Sequence, residues 1–179
     1  MRAEDILYFW FSEAGPKRWW NKSDEFDALI KRRFLPVYHA AAKGELAHWR
    51  STERGRLAEI IVLDQFSRNM FRGEAQAFAA DPVALVLAQE AHAGGVGKHW
   101  RGQWLQFLYM PFMHSESLII HDIAVVHFSM PQLAANLDFE RRHKSIIERF
   151  GRYPHRNEAL GRRSTPEEAL FIAEPGSGF

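Results

Sequence analysis

The chain has 179 residues, of which 46% are hydrophobic and 13% aromatic, and its formal net charge is +1. This length and composition predict one folded domain over residues 1–179 and exclude a disordered chain. The near-zero net charge gives no global field for nucleic acid, and the absence of cysteine excludes disulfides and thiolate chemistry.

No segment indicates secretion or a membrane span. The opening residues include Arg2, Glu4 and Asp5 and are not followed by the apolar core of a signal peptide. The most apolar internal run, Leu118–Phe128, is too short to cross a bilayer and contains ionisable side chains. We therefore expect a soluble, cytoplasmic protein without a membrane partner.

The first part of the chain predicts two helices joined by a tryptophan-rich loop. Residues 5–11 form a short aromatic helix, and Trp19 and Trp20 follow in the loop, where such large rings are typical packing anchors. A longer helix covers residues 23–44, beginning at a serine cap and ending at a glycine. Pro36 lies inside its pattern and should kink or break it.

The next helix, from about residue 52 to residue 70, carries two charges on its apolar face. A helical wheel at roughly 100° per residue places Asp64 and Arg68 on the same face as Leu57 and Ile60. The two charged residues are four positions apart and can pair, and an unpaired buried charge would be costly. They form either a structural ion pair or part of a pocket lining.

Caps and periodicity predict the remaining helices. Asp81-Pro82 begins a helix, with Asp81 as the N-cap, that extends to Gly94. An aromatic helix over residues 101–112 and an apolar helix over residues 118–128 follow.

The C-terminal part combines helices with a polar turn. A helix over residues 138–150 places His143 at the centre of its apolar face, and residues 152–157 form the turn. Thr165 then begins the last helix with a capping box. Since no run shows strand alternation, we predict an all-α bundle of about seven to nine helices.

Four stretches of the chain are long motifs with unusual polar strings. They are LDQFSRNMFRG at residues 63–73, FLYMPFMHSE at 107–116, IIERFGRYPHRN at 146–157 and LGRRSTPEE at 160–168. In these motifs the chain resembles the bacterial family called domain of unknown function 924, over nearly its whole length. The resemblance implies an all-α fold related to tetratricopeptide repeats, and it implies no activity.

The helical wheel and the family motifs select overlapping polar residues, and this agreement supports one shared site. The wheel marks Asp64, Arg68 and His143 as polar groups on apolar faces. In the resulting hypothesis the catalytic candidates are Asp64, His143 and His155. The ligand-binding candidates are Arg68, Asn69, His114, Glu116, Arg152, Arg156 and Asn157.

These residue types suit a small anionic ligand. Arginine binds carboxylate or phosphate through forked hydrogen bonds, and histidine transfers protons near neutral pH. Asp64 or Glu116 would hold a histidine in one tautomer. If the protein is an enzyme, we expect His155 or His143 to transfer the proton.

Two other interpretations of the same residues stay open. The carboxylates and arginines can form a purely structural network, in which case a tetratricopeptide-like groove would bind a protein partner. A metal site could use ligands from the set His114, Glu116, His143, His155 and Asp64, but no metal-binding spacing is present. We therefore predict no metal and no cofactor, and the near-zero net charge predicts no nucleic-acid partner.

Overall fold

The computed structural model describes residues 1–176, and helices joined by turns make up this part of the chain, with no β-strand. The α-helices are α1 (Ala3–Tyr8), α2 (Pro16–Trp19), α3 (Asp24–Ala42), α4 (Glu53–Ile61), α5 (Ser67–Met70), α6 (Asp81–Ala93), α7 (Gln103–Met113), α8 (Leu118–Phe128), α9 (Ala134–Phe150) and α10 (Pro166–Ile172). Two π-helical segments lie at Phe9–Ala14 and Val62–Phe66, and 3₁₀ turns at Ala47–Ser51, Ala75–Ala77, Pro131–Leu133 and Pro154–Arg156. The all-α prediction is confirmed.

The helix that runs from Glu53 through the π-helical segment to Met70 is the centre of the fold. Because α4 and α5 are joined in this way, the described residues contain nine separate helices, within the predicted range. α4 packs against α1, α6 and α7, while α3 packs against the π-helical segment and α5. Residues 57–67 are all buried, so a charged side chain in this stretch must find its partners within the protein.

Aromatic rings fill the space around this central helix. The ring of Trp10 lies 5.5 Å from those of both Phe66 and Phe107, within the range of favourable aromatic pairs. Trp19 is buried, and its indole N–H donates to the backbone oxygen of Trp10 at 2.9 Å. The predicted anchor role is confirmed for Trp19, whereas Trp20 is 55% exposed.

Two prolines lie inside helices where the sequence predicted breaks or ends. α3 continues through Pro36, and α7 continues through Pro111 to Met113. Pro36 is exposed, and buried Phe34 and Tyr38 flank it on the same helix. Their packing offsets the roughly 3 kcal/mol that an internal proline costs a helix.

Two predicted helix starts also differ from the structure. α9 begins at Ala134, four residues before the predicted start, since buried Leu133 already docks this end of the helix. The N-cap of α6 is Ala80, and Asp81 is its first helical residue. The Asp81 carboxylate binds two arginines and is therefore not used as a cap.

The capping box at Thr165 and the left-handed Gly151 after α9 are confirmed. Within residues 1–176, no single helix has both the length and the apolar character needed to cross a lipid bilayer.

Gly55 permits a close approach between α4 and the turn Ala47–Ser51. A Cβ atom at this position would lie 1.9 Å from the carbonyl oxygen of Trp49 and 2.9 Å from Oγ1 of Thr52. The same Thr52 hydroxyl accepts the Gly55 N–H and caps α4. No side chain fits here unless the backbone moves.

We predict that Gly55→Ala lowers the free energy of unfolding by about 3 kcal/mol, because the new methyl group collides with backbone. Gly44→Ala is the matched control, since its Cβ would meet nothing within 4 Å and only the strain of φ +74° applies. That strain costs about 1–2 kcal/mol. Urea unfolding measures both, and equal losses would contradict the close approach.

Candidate functional site

Asp64 is a fully buried carboxylate in the π-helical segment of the central helix. Its Oδ1 atom lies 2.7 Å from Nδ1 of His114 and 3.2 Å from Nη1 of Arg68, and its Oδ2 accepts from Gln65 at 2.5 Å. The Asp64 backbone oxygen also accepts two side-chain donors, from Ser67 at 3.1 Å and Arg68 at 2.6 Å. π-helical turns of this kind occur often at functional sites.

These contacts keep Asp64 ionised. Burial alone would raise the pKa of Asp64, but His114, Arg68 and the donated hydrogen bonds outweigh burial and hold that pKa well below its usual range.

Asp81 joins two arginines at the edge of the same cluster. Its carboxylate accepts two bonds of 2.9 Å from Arg68 and one of 3.1 Å from Arg156. The other terminal nitrogen of Arg156 donates to the backbone oxygen of His114 at 2.9 Å. The Arg156 side chain is almost fully buried, and its Nε has no hydrogen-bond partner. Two guanidinium groups thus converge on one carboxylate, with one N–H donor still unused.

The hydrogen bond to Asp64 fixes the tautomer of His114. An ionised carboxylate only accepts, so Nδ1 of His114 carries the proton and Nε2 carries the lone pair. Burial, followed by the charge of Arg68, lowers the pKa of His114 in spite of its pairing with Asp64. His114 is therefore a neutral, oriented imidazole at neutral pH, which is the form that a general base requires.

Tyr153 lies at the centre of a histidine cluster. Its ring centroid lies 5.8 Å from that of His143, 5.5 Å from that of His155 and 6.2 Å from that of His121. The guanidinium group of Arg156 stacks over the same ring at 4.7 Å. Burial is the main cause that lowers the pKa of His143 to about 3 and the pKa of His155 to about 4. Both imidazoles are therefore neutral at neutral pH.

His121 and Glu140 form a completely buried pair that shares one proton. The Tyr153 hydroxyl donates to the backbone oxygen of Met113 at 2.6 Å, so Nε2 of His121, 3.0 Å from that hydroxyl, must donate. Nε2 also lies 2.9 Å from the Ser115 backbone oxygen, another acceptor. One further proton lies in the 2.6 Å contact between Nδ1 of His121 and Oε1 of Glu140. Burial raises the pKa of Glu140, and the hydrogen bond with His121 opposes that effect only in part.

A second network ties the C-terminal turn to the end of α7. Glu116 accepts a forked pair of bonds from Arg162, at 2.6 and 2.9 Å, and a bond of 2.7 Å from the backbone N–H of Tyr153. Arg162 also donates to Asn157 at 2.9 Å and to the backbone oxygen of Tyr153 at 3.0 Å. These bonds hold Tyr153 through both its backbone N–H and its backbone oxygen.

The network continues to the last helix through Glu168. This carboxylate accepts from Arg152 at 2.6 and 2.8 Å and closes the capping box with Thr165. Asn157 donates to the same carboxylate at 3.3 Å. The bond from Arg152 is the largest cause that lowers the pKa of Glu168. Arg152, Asn157 and Glu116 thus bind protein groups at the turn and make no hydrogen bond to Asp64 or His114 in the described chain.

Three side chains of the Asp64–His114 cluster are partly exposed to solvent. The side chain of Arg68 is 20% exposed, that of Asp81 15% and that of His114 12%, while Asp64 and His121 are closed off. Two surface pockets, of about 260 and 170 Å³, lie elsewhere, and no predicted site residue lines either of them. Within residues 1–176, no group of three or more histidine or carboxylate side chains is arranged to hold a metal ion.

Comparison with known proteins identifies the family of the chain. The model of a family described as bacterial protein of unknown function, DUF924, matches residues 6–176. The chain belongs to the DUF924 family. A solved structure described as a protein of unknown function, ATU0120, from Agrobacterium tumefaciens, superposes with a TM-score of 0.89. That structure is 38% identical to this chain, and the match covers 96% of each chain. No curated protein matches.

The predicted residues of this DUF924 protein fall into distinct groups. Asp64, Arg68, His114 and Arg156 form one connected cluster, and His143 and His155 flank Tyr153 beside it. Asn69 donates to Asp27 on α3 at 2.7 Å and thereby ties α5 to that helix. The roles assigned to these residues, and the relation to tetratricopeptide repeats, stay predictions.

Four residues of these networks were missed as site residues. Asp81 was assigned to a helix cap because it precedes a proline, and Glu168 was assigned only to the capping box. Tyr153 is an aromatic residue within a polar motif, and Arg162 lies next to a glycine in the last motif. For Tyr153, Arg162 and Glu168, a position inside the family motifs was the one available signal, whereas Asp81 lies outside all four motifs.

We predict that the protein loses stability as the pH falls below about 6.5. His143 and His127 are buried, with pKa values lowered mainly by burial to about 3 and about 4, so the unfolded chain takes up protons first. Between pH 7 and pH 5 each contributes a loss of about 2 kcal/mol. Urea unfolding across this range should show the loss, and His143→Gln should reduce the pH slope by about one proton. An unchanged slope in His143→Gln would contradict the assignment.

A further prediction concerns the C-terminal network. Glu116→Gln keeps the size of the side chain but removes the charge that binds Arg162, so we expect a loss of about 2 kcal/mol in unfolding free energy. Glu158→Gln, an exposed substitution on the same turn, is the control. Equal effects of the two substitutions would show that the network contributes little.

Proposed function

We propose that this protein binds a small anionic molecule at the Asp64–His114 cluster and that His114 accepts a proton there when the anion binds. The observation that carries the proposal is the 2.7 Å contact between Asp64 Oδ1 and His114 Nδ1. A buried carboxylate that fixes an imidazole tautomer is a common arrangement for general-base catalysis. Supporting it, the imidazole is neutral at neutral pH and its side chain is 12% exposed.

Arg68 and Arg156 supply the charge that an anionic ligand needs. Both guanidinium groups already meet at Asp81, so their geometry suits a carboxylate or phosphate oxygen. The unused Nε–H of Arg156 is a further donor. Asp81 would then be the group that the ligand displaces or joins.

The charge balance of the cluster couples ligand binding to a proton. Two arginines face two aspartates, and His114 is neutral, so the cluster has no net charge. A bound anion adds one negative charge in a site of low dielectric. Protonation of His114 at Nε2 removes that excess, and binding is therefore expected to raise the pKa of His114.

A second candidate function is a protein-binding module in which the same polar residues are a structural network. Two observations support it: the bonds of Glu116 and Glu168 are all to protein groups, and α8 exposes apolar side chains. Ile119 is 74% exposed and Val126, seven residues later, 68% exposed.

A thermal-shift screen against carboxylic acids and phosphomonoesters tests the proposal. A ligand at 100 times its dissociation constant should stabilise the protein by about 2.7 kcal/mol. Calorimetry of a hit in two buffers of different ionisation enthalpy should show uptake of about one proton, because His114 becomes charged. His114→Gln should abolish the proton uptake, and Arg156→Lys should weaken binding about tenfold, since the forked donor is lost.

His48→Gln, which changes an exposed histidine on the turn before α4, is the control and should bind like the wild type. A hit whose proton uptake survives in His114→Gln would contradict the assignment of His114 as the proton acceptor. A blank screen would favour the protein-binding module.

A further inference from the structure

A separate pocket of about 260 Å³ lies between the glycine-rich turn after α6 and the first turns of α7. Its lining residues are His92, Val96, Gly97, Lys98, Trp100, Leu105, Tyr109, Met130 and Gln132. None of them belongs to the Asp64–His114 cluster. This pocket is called the α6–α7 pocket below.

The α6–α7 pocket carries a positive charge and no negative charge. Lys98 is its single permanently charged lining residue, and no carboxylate lines it. In residues 1–176 Lys98 forms no ion pair, and its chain lies across Gly95, where a Cβ would approach Cε and Nζ to 2.9 Å. Because residue 95 is a glycine, the Lys98 side chain can occupy this space. The ammonium group is available to an anion.

Aromatic side chains form a fixed wall of the pocket. The Tyr109 hydroxyl lies 3.0 Å from Nδ1 of His92. Behind Tyr109, the buried ring of His127 stacks on it with centroids 4.3 Å apart and planes 11° apart. Burial is the main cause that lowers the pKa of His127 to about 4, so an uncharged ring supports the wall at neutral pH. Trp100, held edge-on against Trp104, closes another side.

Gly97 determines how close the turn comes to the apolar floor. A Cβ at this position would lie 2.9 Å from Leu108 and 3.0 Å from Leu105, and its φ of +83° suits glycine. The turn therefore presses directly onto α7. The result is a narrow cleft with apolar and aromatic sides and a cation next to it.

We propose that the α6–α7 pocket binds a small aromatic carboxylate, with the ring against Tyr109 and Trp100 and the carboxylate beside Lys98 and Gln132. The pocket volume of about 260 Å³ suits a small ligand such as a single ring with one acid group. Mostly apolar lining with a few placed polar groups is typical of small-molecule sites. Lys98 favours a ligand with a negative charge, and the aromatic wall favours a ligand with a flat ring.

Amide NMR titration with benzoate tests the proposal, with benzamide and acetate as matched probes. Benzamide keeps the ring without the charge, and acetate keeps the charge without the ring. We expect benzoate to bind with a dissociation constant near about 1 mM and to perturb Val96, Gly97 and Trp100. Both other probes should bind at least about fivefold more weakly.

Lys98→Met should reduce benzoate affinity at least about fivefold and remove the preference over benzamide. Lys98 is exposed, so the fold should be unchanged, and Lys43→Met at another exposed lysine is the control. Unchanged benzoate binding in Lys98→Met would overturn the proposal. So would perturbations centred on His114, or a dissociation constant weaker than about 10 mM. Because His114→Gln leaves this pocket intact, failure here is distinguishable from failure at the Asp64–His114 cluster.

Discussion

A carboxylate that stays ionised inside the protein is the constraint on which the site depends. Asp64 lies in a stretch of the central helix with no access to water, so its charge must be balanced by protein groups. Arg68 from α5 supplies the opposite charge, His114 from the end of α7 supplies a hydrogen bond, and each needs a partner of its own. Arg68 pairs with Asp81, and Asp81 in turn pairs with Arg156. This last ion pair links α6 to the C-terminal turn.

A different set of carboxylate–arginine pairs holds the C-terminal turn in place. Glu116 and Glu168 each bind an arginine through two oxygens and also accept a backbone N–H. Tyr153 contacts groups of both networks: its hydroxyl lies 3.0 Å from Nε2 of His121, and Arg156 of the Asp64 cluster stacks over its ring. The histidines around Tyr153 and the Asp64 cluster therefore lie next to each other, and carboxylate–arginine pairs determine their positions.

The sequence predicted those features that depend on neighbours along the chain. Asp64, Arg68 and His143 were found because helical periodicity shows a polar group on an apolar face, and Thr165 because a capping box is local. Asp81 was misassigned since its partners lie 13 and 75 positions away in the chain. Pro36 was misjudged because a local penalty was outweighed by burial of Phe34 and Tyr38. Rules based on neighbouring residues contain no information about ion pairs and packing between residues far apart in the chain.

The π-helical segment Val62–Phe66 makes the site sensitive to the length of the chain. A π-helical turn contains more residues than an α-helical one, since its bonds span five positions and not four. Loss of one residue there would let the turn become α-helical. Because the wide turn already holds one residue more than an α-helical turn, the helix after it would keep nearly the same face toward α6. The change would fall on the backbone of the turn itself, which carries Asp64. Among related sequences, a gap in this short segment would mark proteins that keep the helix register but alter the turn that positions the buried carboxylate.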